Sequence, residues 1–247
     1  MGPVLCLHGF TGTPFDVSSL AESLEADGHR VLAPTLPGHG GTIGDLAATT
    51  ADDWVSMADE ALTRLVTEHG MRVAIVGASM GALLALRLAR RRPETIAALV
   101  LMAAPLRWRP FDRACVGVLA RVASLFGIRD AAIAKRGGVD CVDPAVRALS
   151  PSLNAFPIAA LHHLIALSDG VARDIPSVTA PALIVHGRLD RTVPLAASED
   201  LASRIGSTTV ERLWLDASGH LVAVDHERAA VADAVRVFLA QHAVWTT

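Results

Sequence analysis

Apolar runs of strand length alternate along this chain with segments whose apolar residues recur every three or four positions. The strand-like runs are Val4 to His8, His29 to Ala33, Arg72 to Val76, Ile96 to Ala103, Ala182 to His186 and Val210 to Leu215. Between them lie helical patterns with readable ends. Thr13-Pro14 places a cap residue and a proline at the start of a helix that closes at Gly28, and Thr50-Ala-Asp-Asp53 has the form of a capping box ahead of another. This alternation predicts an α/β fold, a mostly parallel, doubly wound sheet covered by helices on both faces.

The rhythm breaks once. From Pro105 to about Pro181 the sequence shows no strand, an interval far longer than an ordinary crossover. A helix is expected there from Asp112 to about Phe126, with Val116, Leu119, Ala120, Ala123 and Phe126 as its apolar positions. A loop around Gly137-Gly138 and Asp143-Pro144 follows, then a second helix from about Pro157 to Val171. Residues 105–181 are therefore expected to form an all-helical cap inserted into a core made of residues 1–104 and 182–247. The insertion leaves from the carboxyl ends of the strands, where ligands bind in open α/β sheets, so its apolar faces are expected to close over a pocket.

Composition narrows the function classes. The 247 residues suit one large domain, and with 51% hydrophobic and 19% charged residues the chain has ordinary globular balance. Its 22 basic and 25 acidic residues form no basic face, which argues against a nucleic-acid partner. Cys6, Cys115 and Cys141 are widely spaced with no C-x-x-C pair, so neither a disulfide framework nor a zinc site is expected. A strand beginning by Val4 leaves no room for a signal peptide, and no apolar run reaches the length of a membrane span. The expectation is a cytoplasmic protein with reduced thiols and no membrane insertion. There is no dinucleotide fingerprint, phosphate loop or metal cluster, so no cofactor and no metal are expected. Oligomeric state has no signature in the chain. Tyrosine is absent, which removes any mechanism built on a tyrosine acid, base or oxyanion donor, and Lys135 is the sole lysine.

The chemistry centres on Val73-Ala-Ile-Val-Gly-Ala-Ser79-Met-Gly-Ala82. A G-x-S-x-G pentapeptide between a buried strand and an Ala- and Leu-rich helix puts its serine on a sharp turn, and Gly77 and Gly81 let strand and helix pass closely. Ser79 is the candidate nucleophile, and the helix behind it offers N–H groups to developing negative charge. A serine needs a base and a group that orients the base. Among ten histidines, His220 follows the last strand in a short loop, Leu215-Asp-Ala-Ser-Gly-His220, that returns the imidazole to the sheet's carboxyl edge. His8 reads as a brace for the first loop. Asp190, in the loop after the Ala182 to His186 strand, is the candidate acid. Asp216 lies too close in sequence to His220 to bridge from another loop, and Asp225 reads as a loop or helix-start residue.

The order Ser79, Asp190, His220 is that of the α/β-hydrolases. Leu5-Cys-Leu-His8-Gly9-Phe10-Thr-Gly12, Pro34-Thr-Leu-Pro-Gly38-His39-Gly40, Asp52-Asp-Trp54, Gly77-Ala-Ser79-Met-Gly81 and Ser218-Gly-His220-Leu-Val-Ala-Val-Asp225 extend the match over the whole core. The chain resembles α/β-hydrolases throughout and, more narrowly, small bacterial carboxylesterases and monoacylglycerol lipases. That resemblance implies an oxyanion hole made by the backbone N–H groups of Phe10 and Met80, and a sheet lacking the superfamily's usual first two strands. It implies hydrolysis of a small-molecule acyl ester through an acyl-enzyme, and the apolar cap helices favour acyl chains of short to medium length. Monoacylglycerol lipase, thioesterase and carbon–carbon bond hydrolase share the triad and stay open, as does a non-catalytic binding protein on the same scaffold. Serine at 79 and the lack of tyrosine argue against haloalkane dehalogenase and epoxide hydrolase chemistry.

Overall fold

A computed structural model describes residues 1–128 and 130–246. Arg129 and Thr247, inside the expected cap and core ranges, lie outside the described residues. The strands are β1 (Pro3–Leu7), β2 (Arg30–Leu32), β3 (Val73–Ala78), β4 (Ile96–Met102), β5 (Ala132–Ala134), β6 (Ala155–Pro157), β7 (Ala182–Gly187) and β8 (Val210–Leu215). The helices are α1 (Ser18–Ala26), α2 (Ile43–Ala47), α3 (Ala51–His69), α4 (Met80–Arg91), α5 (Pro110–Leu125), α6 (Pro144–Leu149), α7 (Ile158–Asp174), α8 (Leu195–Arg204) and α9 (Arg228–His242).

Six strands form one sheet in the order β2-β1-β3-β4-β7-β8, with every neighbouring pair parallel. The residues of β1, β3, β4 and β7 are all buried, because helices cover both faces. On one face α1 and α9 close a core around Val4, Val76, Val100 and Phe238; on the other, α3, α4, α7 and α8 close a larger one around Leu5, Ile75, Trp54 and Leu83. The chain leaves β1 toward β2 on one side and crosses to β3 on the other. The sheet therefore has its topological switch point between the carboxyl ends of β1 and β3, where open α/β sheets leave a crevice.

Local signals behave as the sequence dictates. Thr50 caps α3 through a full capping box with Asp53, and α3 ends at Gly70 with φ +60°. Thr13-Pro14 opens a single 3-10 turn, Pro14–Val17, which runs into α1.

Between β4 and β7 two expectations need correction. The segment is not free of strands: β5 and β6 pair antiparallel as a three-residue ribbon, and a further short helix, α6, starts at Pro144 behind the cap residue Asp143. Strands this short carry no alternation for a sequence to display. The expected apolar face of α5 is also not closed over a pocket along its length. Val116 is buried, but Leu119 is 43% and Phe126 76% exposed, as are Val118, Val122 and Leu125 in part or in full. The helix packs on α7, and the side chains of its last two turns are largely exposed.

Candidate active site

The turn after β3 shows why its two glycines are needed. A Cβ on Gly81 would collide with the Leu7 carbonyl of β1, and one on Gly77 with the Gly81 carbonyl. With both absent, α4 starts directly against the sheet, and Ser79 is held at φ +53°, ψ −114°. Its N–H donates to the Met102 carbonyl at 2.8 Å. Thr11 and Ala103 also have positive φ, at +66° and +49°. The three strained non-glycine residues thus follow β1, β3 and β4 at the same edge of the sheet, where strain of about 1–3 kcal/mol each is held by the surrounding packing.

A cavity of about 400 Å³ opens above this edge and is lined by Ser79, His220, Gly9 and Phe10 among others. Its apolar wall comes from the inserted segment: Pro105, Trp108, Phe156, Leu161 and Leu164. Gly9 passes so close that a Cβ there would lie 3.3 Å from the Ser79 Cβ.

The first loop is set by His8, which is fully buried. The Leu36 N–H donates to His8 Nε2 at 3.0 Å, so the proton sits on Nδ1, which donates to the Gly9 carbonyl at 2.9 Å. Burial and the neighbouring His39 push His8 down to about 3, which keeps this single tautomer. The Gly12 N–H also donates to the Gly9 carbonyl, at 3.2 Å. In a trans peptide the N–H points opposite the C=O, so fixing the Gly9 carbonyl fixes the direction of the Phe10 N–H. Phe10 lines the cavity together with Ser79, and Met80, at the first position of α4, carries an N–H with no intrahelical acceptor.

On the other side, His220 Nδ1 and Asp190 Oδ2 are 2.8 Å apart. The Asp190 side chain is 1% exposed. Its Oδ1 accepts the N–H groups of Thr192 and Val193 at 2.8 and 2.7 Å, while Oδ2 also meets His186 Nε2 at 3.2 Å. Burial favours the neutral acid, yet His220, His186 and the Val193 N–H hold the carboxyl far below the usual carboxylate range. Burial pushes His220 down as well, but the charge and hydrogen bond of Asp190, with Asp140 and Asp16 farther off, leave it raised above its ordinary value. Asp216 pairs with Arg188 on the surface, away from the imidazole.

Three supporting residues escaped the sequence reading. His186 is fully buried and donates to the Val193 carbonyl beneath Asp190, with the Ser198 hydroxyl at its other nitrogen. Asp140 accepts the Arg191 N–H and the Thr192 hydroxyl on Oδ2, while its carbonyl accepts the His220 and Leu221 N–H groups. Asp225, read as a loop residue, is fully buried, and its carboxylate accepts the N–H groups of Val142, Asp143, Gly219 and His226 at 2.8–2.9 Å. Segment 139–143 of the insertion is therefore part of the site's framework. Among the described residues no group of three or more His, Cys, Asp or Glu is placed to hold a metal ion.

A model of the serine aminopeptidase S33 family matches residues 2–227. The chain belongs to this α/β-hydrolase family. The hydrolase is 30% identical over 245 residues to a thermostable monoacylglycerol lipase of Bacillus sp. (strain H-257), covering 98% of this chain and 92% of that protein. It is 26% identical to a carboxylesterase of Bacillus subtilis (strain 168), covering 96% and 91%. A solved structure from work on two metagenome-derived lipolytic enzymes, LipS and LipT, superposes with a TM-score of 0.87 at 32% identity, over 97% of this chain and 94% of that one. The protein is thus an α/β-hydrolase of the type that includes esterases and lipases. No helix among the described residues is long and apolar enough to cross a membrane.

Proposed function

We propose that this α/β-hydrolase is a serine carboxylic-ester hydrolase working through an acyl-enzyme. The observation that carries the reading is the Asp190–His220 contact facing the same cavity as a serine on a strained turn. In this reading Ser79 Oγ attacks the ester carbonyl while His220 Nε2 takes its proton. Asp190 holds the Nδ1–H and stabilises the imidazolium that forms. The carbonyl oxygen becomes an oxyanion received by the Phe10 and Met80 N–H groups, donors oriented before the reaction begins. His220 then gives the proton to the departing alkoxide. Water, deprotonated by the same imidazole, attacks the acyl-enzyme and releases the acid.

The wall formed by Trp108, Phe156, Leu161 and Leu164 supports an aliphatic acyl group of short to medium length, and residues 105–181 act as the cap that supplies it. The likeness to a monoacylglycerol lipase over nearly the whole chain favours glycerol monoesters as a second, narrower reading.

Hydrolysis of p-nitrophenyl esters from acetate to palmitate, alongside monoacylglycerols of matched length, tests the proposal. The expected result is turnover that peaks at one acyl length and falls by on the order of 10⁴-fold or more in folded Ser79→Ala protein. Ester turnover retained by Ser79→Ala, or none by the folded wild type, overturns it.

A further inference from the structure

In the proposed reaction His220 alone holds the attacking water, and a single hydrogen bond leaves a water molecule free to turn about it. Asp16 is a second polar group at the same cavity. It is 2% exposed and lines the cavity with Ser79 and His220. Its Oδ2 accepts the Gly9 N–H at 3.3 Å, a long bond, and its Oδ1 has no hydrogen-bond partner among the described residues. An ionised carboxylate offers about four acceptor positions, and native structures rarely bury one so sparsely matched without a use.

The first loop is shaped around this carboxylate. A Cβ on Gly12 would collide with it, and a Cβ on Gly9 would lie 3.3 Å from both Asp16 Oδ2 and the Ser79 Cβ. A single glycine therefore separates Asp16 from the nucleophile.

Topology sorts the cavity into two sides. Asp16 lies in the 3-10 turn that leads into α1, and His220 lies in the loop that leads into α9. The two helices pack together on one face of the sheet, and Val17, Val222 and Ala223 belong to the core they close. The apolar wall is on the other face: Leu161 and Leu164 belong to the α3–α4–α7 core, and Trp108 and Phe156 pack against it. The acyl chain and the two polar residues thus approach Ser79 from opposite faces. Water that attacks the acyl-enzyme must reach His220, so it enters on the α1–α9 side, where Asp16 stands.

The two polar residues match the two hydrogens of water. With one hydrogen on His220 Nε2 and the other on the Asp16 carboxylate, the oxygen turns a lone pair toward the acyl carbon. A simple alcohol has one hydroxyl hydrogen, which His220 takes, and Asp16 is left unpaired. Burial pushes the Asp16 carboxyl up to about 6, against the pull of the Gly9 N–H, Lys135 and His220, so above that value it is the ionised acceptor this arrangement needs.

Resting on the ester-hydrolase reading, we propose that Asp16 orients the deacylating water and so commits the acyl-enzyme to hydrolysis over transfer to an alcohol. The water oxygen bonds to the acyl carbon as one hydrogen passes to His220. The tetrahedral intermediate collapses, the bond from carbon to Ser79 Oγ breaks, and His220 returns the proton to Oγ. Asp16 holds the second hydrogen throughout.

The test measures how one acyl-enzyme divides between two acceptors. Wild type, Asp16→Asn and Asp16→Ala turn over a p-nitrophenyl ester in a fixed concentration of methanol, above the range in which Asp16 protonates, and the methyl ester and free acid formed are quantified. The ester-to-acid ratio is expected to rise about tenfold or more in both variants. Asp16→Asn keeps an acceptor for the Gly9 N–H, and a purely structural role slows both routes through the same oxyanion without moving their ratio. A ratio equal to or below that of the wild type in the folded variants overturns the inference while the ester-hydrolase reading stands. If a variant stops turning over, intact-protein mass spectrometry decides: an accumulated acyl adduct supports the inference, and its absence overturns it. A folded wild type that cleaves no ester overturns both.

Discussion

His220 and Asp190 sit 2.8 Å apart, Nδ1 to Oδ2, with the Asp190 side chain all but sealed from solvent. The pair joins loops that follow different strands, β7 and β8, and in the proposed mechanism its charge sets the acid side of the activity profile.

Because Asp190 and the farther carboxylates outweigh burial, His220 is raised above its ordinary 6.5. In the proposed mechanism the base works as the neutral imidazole, so kcat/KM should decline as pH falls through a value above 6.5, approaching tenfold per pH unit. Asp190→Asn should lower kcat by on the order of 10³–10⁴ and move the residual acid limb downward, since the raising charge is gone. A pH–rate profile flat from about pH 5 to 8 would contradict the assignment of the base.

Gly81 and Gly117 make a matched pair of substitutions. Gly81→Ala drives a methyl group into the Leu7 carbonyl, a strand atom with no freedom to retreat, and should destabilise by about 3 kcal/mol with loss of activity. Gly117 lies within α5 with nothing within 4 Å of its would-be Cβ, so Gly117→Ala should stabilise by about 0.5–1 kcal/mol. Urea denaturation of the two variants checks both signs.

Asp225 holds N–H groups from two distant segments on one carboxylate. Those bonds hold its carboxyl below the ordinary value against the opposing effect of burial. They therefore stabilise the fold above the unfolded-state value, near pH 4 for an aspartate, and the contribution fades as pH falls through the lower folded-state one. Asp225→Ala should cost about 3–5 kcal/mol near neutral pH and depress activity, because the loop carrying His220 loses its anchor. A thermal midpoint equal to that of the wild type would refute this.

Asp16 has the opposite sign. Its carboxyl is raised to about 6 from 3.8, so the fold is fully favoured below the lower value and loses stability as pH rises through the higher one. Asp16→Asn keeps an acceptor for the Gly9 N–H without burying a charge. It should be more stable than the wild type by about 2 kcal/mol at pH 7.5, with the gap closing near pH 4. Denaturation at the two pH values reads the difference directly.

The parts of the fold visible in the sequence are those governed by contacts local to it. Gly77, Ser79 and Gly81 announce their turn because strand and helix touch within five residues, and the capping box of Thr50 and Asp53 closes within one helical turn. Asp190 and His220 are candidates through their places after strands, which a βα alternation fixes. Asp140, Asp225 and His186 carry no such mark. Asp225 meets Val142 from 83 positions away, and its type alone reads as a turn residue. The β5–β6 ribbon and the exposed flank of α5 were missed because neither is decided by periodicity: the ribbon is too short to show one, and the helix has apolar positions on more than one side.

The stitching of Val142 and Asp143 to Asp225, and of Asp140 to the loops bearing Asp190 and His220, has a consequence for redesign. The inserted segment is not a detachable module that can be exchanged to change specificity while the reactive centre stays as it is. A transplanted insertion must bring its own equivalent of residues 139–143 or be joined outside them. Change in what the enzyme accepts is therefore channelled into cavity-lining residues such as Arg107, Trp108, Phe156, Leu161 and Leu164, which lie outside the loops bearing Asp190 and His220.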